Sequence, residues 1–283
     1  MTHRRVIVPL LIVTACGGGG PKIALRYHPP AGAVYHYALE QGTQVTMRSG
    51  PLRGMGQQQL KMRMHFTQTI KGPAAVGGGI AVEVVFDSTT MEMPGVASDS
   101  AERELAKMRG LRSTVVFDER AQIVRSDFAA QPGVTPELAN QMGAGIKAMT
   151  FAFPEQPVGR GDSWTVSTEL PLGQVPGADA SSAGPARTTL TVREIRTTPS
   201  DTSVFLNVKT TFPTGPIRLG LGGTLKISGA LAGDQQFSLT RGAVVNGTLK
   251  GAMTMNITAA MLGSRAMEMS SEIESAIRLV DAK

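Results

Sequence analysis

The feature that most restricts the fold of this chain is apolar alternation sustained over long runs. From 59 to 71 the apolar residues Leu60, Met62, Met64, Phe66 and Ile70 are separated by Lys61, Arg63, His65, Thr67, Thr69 and Lys71. After the turn sequence GPAAVGGG the pattern resumes at Ile80, Val82, Val84 and Phe86, then Met91 and Met93. Successive side chains of a strand point to opposite faces, so this period marks strands with one apolar and one polar face. The two runs read as a long hairpin. Similar alternation recurs at 34–47, 189–195, 204–212, 225–231, 237–239, 249–261 and 267–279. In the last two, Leu249, Met253, Met255, Ile257 and Met261 share one parity, as do Met267, Met269, Ile273, Ile277 and Leu279. Strands of this length exceed the usual mode of about 5–6 residues and are unsuited to a small sandwich. The expected fold is mainly β: a large curved antiparallel sheet or half-barrel.

Helical signals are few. Between 98 and 110, Ser98 or Ser100 can cap, acids occupy the first turn, and Gly110 ends the pattern, which predicts a helix near 98–109. A second is predicted over 135–150, with Thr135 as cap, Pro136 in the first turn and Leu138, Met142, Ile146 and Met149 on one side. Gly143 and Gly145 weaken it, by about 1 kcal/mol each relative to alanine. The hairpins 113–128 and 235–251 share an order of apolar strand, charged turn (Arg120 or Arg241) and second strand, each after a pair of long alternating strands. That order suggests two related halves, 22–153 and 154–283, in one assembly; the competing account is chance likeness between two hairpins. The stretch 171–187, rich in Pro, Gly, Ala and Ser, reads as a mobile loop.

The first residues have the three-part layout of a secretory signal: His3, Arg4 and Arg5, an apolar run over 6–13, then small residues before Cys16. The run is far shorter than the roughly 20 residues that cross a bilayer. Val13-Thr14-Ala15-Cys16 resembles the bacterial lipobox, in which cleavage precedes the cysteine and its sulfur is acylated. The resemblance implies a signal peptide over 1–15 and lipidation of Cys16, with Gly17–Gly20 in a flexible tether reaching residue 22. The alternative is an accidental or buried cysteine. Against it, Cys16 is the chain's one cysteine, and a leftover free thiol is uncommon in an oxidising compartment. At about 0.8 kcal/mol per buried methylene, two or three acyl chains would make a lasting anchor.

Charge narrows the partners. Removing residues 1–15 takes away two arginines and no acid, leaving 26 basic against 22 acidic residues and lowering the formal charge from +6 to +4. The basic residues are scattered, so no nucleic-acid surface is expected. The four histidines, His3, His28, His36 and His65, make no metal spacing with one another or with the cysteine, and no metal or cofactor is expected. Phosphate-loop, dinucleotide and nucleophile-elbow signatures are missing, and Asp118, Glu119 and Asp127 read as turn acids.

Two stretches invite a functional label. In PEQPVGRGDSWTV, Pro154 and Pro157 stiffen an extended entry, Gly159 and Gly161 permit a tight turn, Asp162 or Ser163 can hydrogen-bond nearby backbone, and Trp164, the chain's one tryptophan, begins a strand. The favoured reading is a structural turn; Arg160-Gly161-Asp162 also matches an adhesion tripeptide that is too short to specify anything. The second is the methionine set Met62, Met64, Met91, Met93, Met253, Met255, Met267 and Met269, all on apolar strand faces and often as M-x-M pairs. Thioether side chains fill irregular core gaps, and they also make adaptable binding surfaces. Both readings stay open: packed core, or a pliable concavity for an acyl chain or hydrophobic peptide.

The lipobox, the segment LRYHPPAGAVYHY, the turn Pro157-Val-Gly-x-Gly-Asp-Ser-Trp164 and the long alternating strands together resemble a family of uncharacterised bacterial envelope lipoproteins, catalogued as a domain of unknown function. That family implies no activity and no site residues. The architecture is also similar to periplasmic carriers of lipids and lipoproteins, by analogy of fold alone. The expected function is that of a non-enzymatic, lipid-anchored envelope protein binding a hydrophobic ligand or lipidated partner on its methionine-rich face. The alternative is a scaffolding lipoprotein with a filled core that contacts another envelope protein. Gly17 after the cysteine resembles the sorting pattern for the outer membrane, facing the periplasm, if the host has two membranes.

Overall fold

The computed structural model describes residues 22–50, 54, 56–92, 105–106, 108–129, 143, 151–170, 177–179, 182, 184–213, 215–258 and 266–282. The strands are β1 (Val34–Met47), β2 (Gln57–Pro73), β3 (Ile80–Glu92), β4 (Arg112–Phe117), β5 (Ile123–Phe128), β6 (Ser163–Thr168), β7 (Ala186–Thr197), β8 (Thr202–Thr211), β9 (Pro216–Leu219), β10 (Gly223–Ser238), β11 (Ala243–Thr258) and β12 (Met267–Ala282). They form one antiparallel twelve-stranded sheet in the order β5-β4-β3-β2-β1-β12-β11-β10-β8-β7-β6, with β9 beside the start of β10. The sheet is curved and is not closed into a barrel.

The order follows from local pairing. Hairpins join β1 through β5 as nearest neighbours, and β6, β7, β8, β10 and β11 repeat the same order in the second half. β12 then pairs with both β11 and β1, running from Tyr35↔Ala282 to Met47↔Met269, so the first and last strands unite the two blocks. The hairpins β4–β5 and β10–β11 share local detail. Each has a register shift just before its turn, at Val116/Phe117 and Gln236/Phe237. Each places the residue after its arginine in the left-handed region: Ala121 at φ 59° and Gly242 at φ 60°. Alanine there costs about 1–2 kcal/mol of backbone strain, offset by Asp118, whose Oδ1 accepts from the N–H of Arg120 (2.9 Å) and of Gln122 (2.8 Å).

The separate strands expected at 225–231 and 237–239 are one continuous β10. Between Leu231 and Phe237 the face positions are Gly233 and Gln235, neither of which carries an apolar side chain, so the alternation fades there while the ladder with β11 continues. The helices expected near 98–109 and 135–150 fall mostly outside the described residues; Leu105, Ala106 and Gly143 are helical. Most of the 171–187 stretch also lies outside them, though Ala178 bridges to Leu219.

The core lies on one face, at the end of the sheet where β1 begins. Tyr35 and Tyr37, Ile70, Val82, Val84 and Phe86, Val115 and Phe117, Leu190, Val192, Val204, Leu206 and Phe237 are buried there. Residues drawn from β1 through β10 pack into one cluster only if the sheet wraps around them. Two non-strand segments fill the space inside: 22–27, bringing Leu25 and Tyr27, and the connector 151–158, bringing Phe153 and Val158. Tyr27 lies 4.9 Å from Phe117 between ring centroids, and Phe153 meets Phe237 edge to face at 4.8 Å.

The backbone of these inserted segments is satisfied explicitly. Ile23 and Val158 exchange backbone hydrogen bonds, Phe153 N–H donates to Arg120 O, and Tyr27 N–H donates to Glu119 O. The Arg120 Nε donates to Phe153 O (2.7 Å), while Arg26 reaches Pro154 O (3.2 Å) and Glu155 O (2.9 Å). The connector therefore links the β4–β5 turn to the approach of β6, spanning the two open edges at this end without a ladder.

Asp201, in the β7–β8 turn, joins two hairpins. Partial burial pushes its carboxyl up, but hydroxyl hydrogen bonds from Ser238, Ser203 and Thr240 outweigh that and hold it below the usual aspartate range. Ser238 Oγ donates at 2.6 Å and Ser203 Oγ at 2.7 Å. A depressed folded-state value means stability present above the unfolded aspartate pKa of about 3.9 and lost as pH falls through the folded value. Asp201→Asn is expected to lower the urea midpoint at pH 7 and to flatten its acid dependence below about pH 4. An unchanged acid limb in the variant would remove Asp201 from this role.

Candidate functional site

Partners across an antiparallel ladder share a face, so the register places each methionine. Tyr37, stacked on Phe66 at 5.1 Å, marks the core face. Moving along β1 away from the core, Leu39 pairs with Met64, Gln41 with Met62, Thr43 with Leu60 and Val45 with Gln58. Met64 pairs onward with Thr89 and Met62 with Met91. On the other side of β1, Met47 pairs with Met269, Met269 with Met255, and Met255 with Ile227. Ser271 separates Val45 from Met253, and Met267 pairs with Ile257. Met62, Met64, Met91, Met253, Met255, Met267 and Met269 therefore lie on the face that carries the core, displaced toward the opposite end of the strands. All are half-buried. Met93 and Cys16 lie outside the described residues.

Sequence reasoning left Met47 out of this set, although it has the parity of Tyr35 and Tyr37 in β1. It also missed a second small core, Ile217, Leu225 and Ile227, against which Met253, Met255, Ile257, Leu219 and Phe212 pack. The face is not uniformly apolar: Gln41, Thr43, Ser271 and Ser275 punctuate it. Thr89, opposite Met64, has a buried hydroxyl with no hydrogen-bond partner. The β1 end of the face is rimmed by residues 48–50, where Arg48 N–H donates to Glu268 O (2.8 Å) and Ser49 Oγ to Ala266 O (2.9 Å).

The seam between β10 and β11 shapes this face. Its pairs are Gly229↔Met253, Leu231↔Gly251, Gly233↔Leu249 and Gln235↔Gly247, one glycine to each. A Cβ at Gly229, Gly233 or Gly251 would fall onto a carbonyl oxygen of the facing strand, that of Ala252, Thr248 or Ala230. Strand backbones approach this closely on the inside of a sharp bend, where only glycine fits.

The segment 154–166 is a structural turn. Gly159 N–H donates to Asp162 Oδ2 (2.9 Å) and Asp162 N–H to Gly159 O (3.1 Å), while Gly161 has φ 89°. That backbone donor, and then Lys22 Nζ at 2.9 Å, hold the Asp162 carboxyl below its usual range. Pro157 is exposed; Trp164 is half-buried and its Nε1–H donates to Ala152 O (2.9 Å), tying the start of β6 to the connector. The residues of this motif hold the connector in place, and Val158 and Trp164 pack with the main core.

Other chemistry is sparse. An open depression of about 430 Å³ beside β9 is lined by Asp179, Ser182, Pro216, Arg218 and Thr224. Among the described residues no three His, Cys, Asp or Glu side chains converge as metal ligands. His65 is exposed on the polar face of β2. His36 Nδ1 lies 2.9 Å from Thr67 Oγ1, which donates to Asp87 (2.7 Å); the accepting Thr67 oxygen makes Nδ1 the protonated nitrogen.

No protein-family model matches this chain, and no curated protein matches it. Among solved structures, it aligns with DynF from the dynemicin biosynthesis pathway of Micromonospora chersina, over 92% of this chain and 86% of that one, at 8% identity and a TM-score of 0.24. A likeness of that size carries no argument about function.

Proposed function

We propose that this chain is a non-enzymatic lipoprotein of the bacterial envelope, anchored through acylated Cys16 to the outer membrane on its periplasmic side, and that its open sheet holds a hydrophobic ligand or the acyl chain of a lipidated partner. The observation that carries the reading is the shared face of Met47, Met62, Met64, Met91, Met253, Met255, Met267 and Met269, half-buried and running from the edge of the main core, where Met64 packs, toward the opposite end of the strands. Unbranched thioether side chains adapt to a flexible apolar guest at low cost. The membrane anchor rests on the resemblance of 13–16 to a lipobox.

The test uses full-length protein extracted from its native membrane. Intact mass is expected to begin at Cys16 with acyl chains attached, and native mass spectrometry is expected to reveal a co-purifying lipid. A fluorescent long-chain fatty acid should bind, and Met255→Glu should weaken it at least tenfold by placing a charge on the apolar face, while Lys61→Glu on the opposite face leaves it unchanged. Equal binding by both variants, at matched thermal stability, would remove the methionine face from the function.

A second reading rests on a different observation. Met253 and Met255 already pack on the Ile217, Leu225 and Ile227 cluster, so part of this face is filled. A scaffolding lipoprotein would then use its polar surface toward another envelope protein. An acylated protein with no bound lipid and one stoichiometric crosslinked partner, unaffected by Met255→Glu, selects that reading.

A further inference from the structure

One row of the methionine face has a composition that simple apolar packing does not require. Met47, Met269 and Met255 are consecutive cross-strand partners on β1, β12 and β11. Each is half-buried, and Met255 also packs against the Ile217, Leu225 and Ile227 cluster at one end of the row. Adjacent strands lie about 4.8 Å apart, so the row spans about 10 Å. Each thioether ends a chain of three rotatable bonds, and the outer two can swing toward the central one. Met267 stands two residues from Met269 on the same side, with Gly50 packed on its Cβ at a distance that would become 3.2 Å from an added methyl.

We propose that Met47, Met255 and Met269 form a binding site for a soft monovalent cation, Cu(I) or its redox-inert analogue Ag(I). Thioether sulfur is a soft, neutral donor and selects such ions over hard divalent ones. The partners flanking the row on this face, Val45, Ser271, Met253, Ile227, Met267 and Ile257, carry no charge. Magnesium or calcium would need carboxylate oxygens here, and zinc would need thiolate, imidazole or carboxylate. The step is ligation alone: each sulfur donates a lone pair, the ion sheds hydration water, and no electron changes hands. The site is independent of the hydrophobic-ligand reading, since ion binding needs three sulfurs in one row and acyl binding needs only apolar area.

The test is titration of the full chain carrying Cys16→Ser, which removes the thiol that would otherwise capture the ion, with silver nitrate in chloride-free buffer. Retained silver is measured by mass spectrometry, and the protein is labelled with ¹³C at its methionine methyls. One equivalent of Ag(I) is expected to be retained after dialysis, shifting the methyl signals of Met47, Met255 and Met269 together. Met269→Leu keeps the size and apolarity of the side chain and is expected to reduce retention at least tenfold, whereas Met64→Leu, on the same face but outside the row, leaves it intact. Shifts spread evenly over all methionine methyls, or a full equivalent retained by Met269→Leu, would overturn the site. The methyl spectrum of the chain carrying Cys16→Ser alone decides the matter even if the leucine variant folds poorly.

Discussion

Valine at position 251 is expected to cost the protein at least ~3 kcal/mol of stability, visible as a large fall in the urea midpoint of the full chain. Gly251 lies in the interior of β11, opposite Leu231 and Ile273. A Cβ there would strike the carbonyl oxygen of Ala230 and come within 2.9 Å of the Leu231 Cα. Both obstacles are backbone, so no rotamer change relieves the overlap, and β10 must move away from β11. Gly233 faces the same obstacle from the other strand, its Cβ 3.0 Å from the Leu249 Cα. The control is Gly42→Val in β1, where nothing lies within 4 Å of an added Cβ. There the gain in strand propensity and the loss of glycine's unfolded-state freedom predict neutrality or a gain of up to about 1 kcal/mol. Equal costs for the two variants would mean that the bend at β10–β11 is not a tight contact.

The second large effect concerns the connector. Phe153→Ala should destabilise the protein by about 3–5 kcal/mol, as deletion of a buried aromatic ring does. The ring is 6% exposed and packs edge to face on Phe237, itself 5% exposed. Its loss should also raise amide exchange at Phe153 and Tyr27, because both donate to the β4–β5 turn that Phe153 helps to hold. Phe237→Ala should cost a similar amount, and the double variant less than the total of the two, since each single change already removes the ring pair. Additive costs would show that the connector and β10 do not share a core.

Much of this architecture was legible in the residues. The parity of 59–71 and 267–279 identified strands β2 and β12 and assigned their apolar faces, because alternation is a property of the backbone itself; in β3 it did so as far as Phe86, and only the register shift against β2 returns Met91 to that face. The Gly159–Trp164 turn was legible for a related reason: glycine, aspartate and proline constrain their own dihedrals whatever surrounds them. The continuity of β10 was not legible, since Gly233 and Gln235 put no apolar side chain into the pattern between Leu231 and Phe237. The pairing of Met47 with Met269 was equally hidden, because it joins the first strand to the last across more than two hundred residues.

The residue pattern therefore sets the faces: which side chains of each strand point together, and that one side of a mainly β chain is apolar and rich in methionine. Which faces meet is a matter of long-range contact. Strand order, the union of β1 with β12, the three-methionine row and the burial of Phe153 depend on contacts between distant segments, and a period-two pattern is the same for every register that keeps parity. The glycine seam shows the reason most directly. A missing Cβ carries no signal along one strand, and it acquires meaning only when the backbone of the facing strand occupies the space where that Cβ would have been.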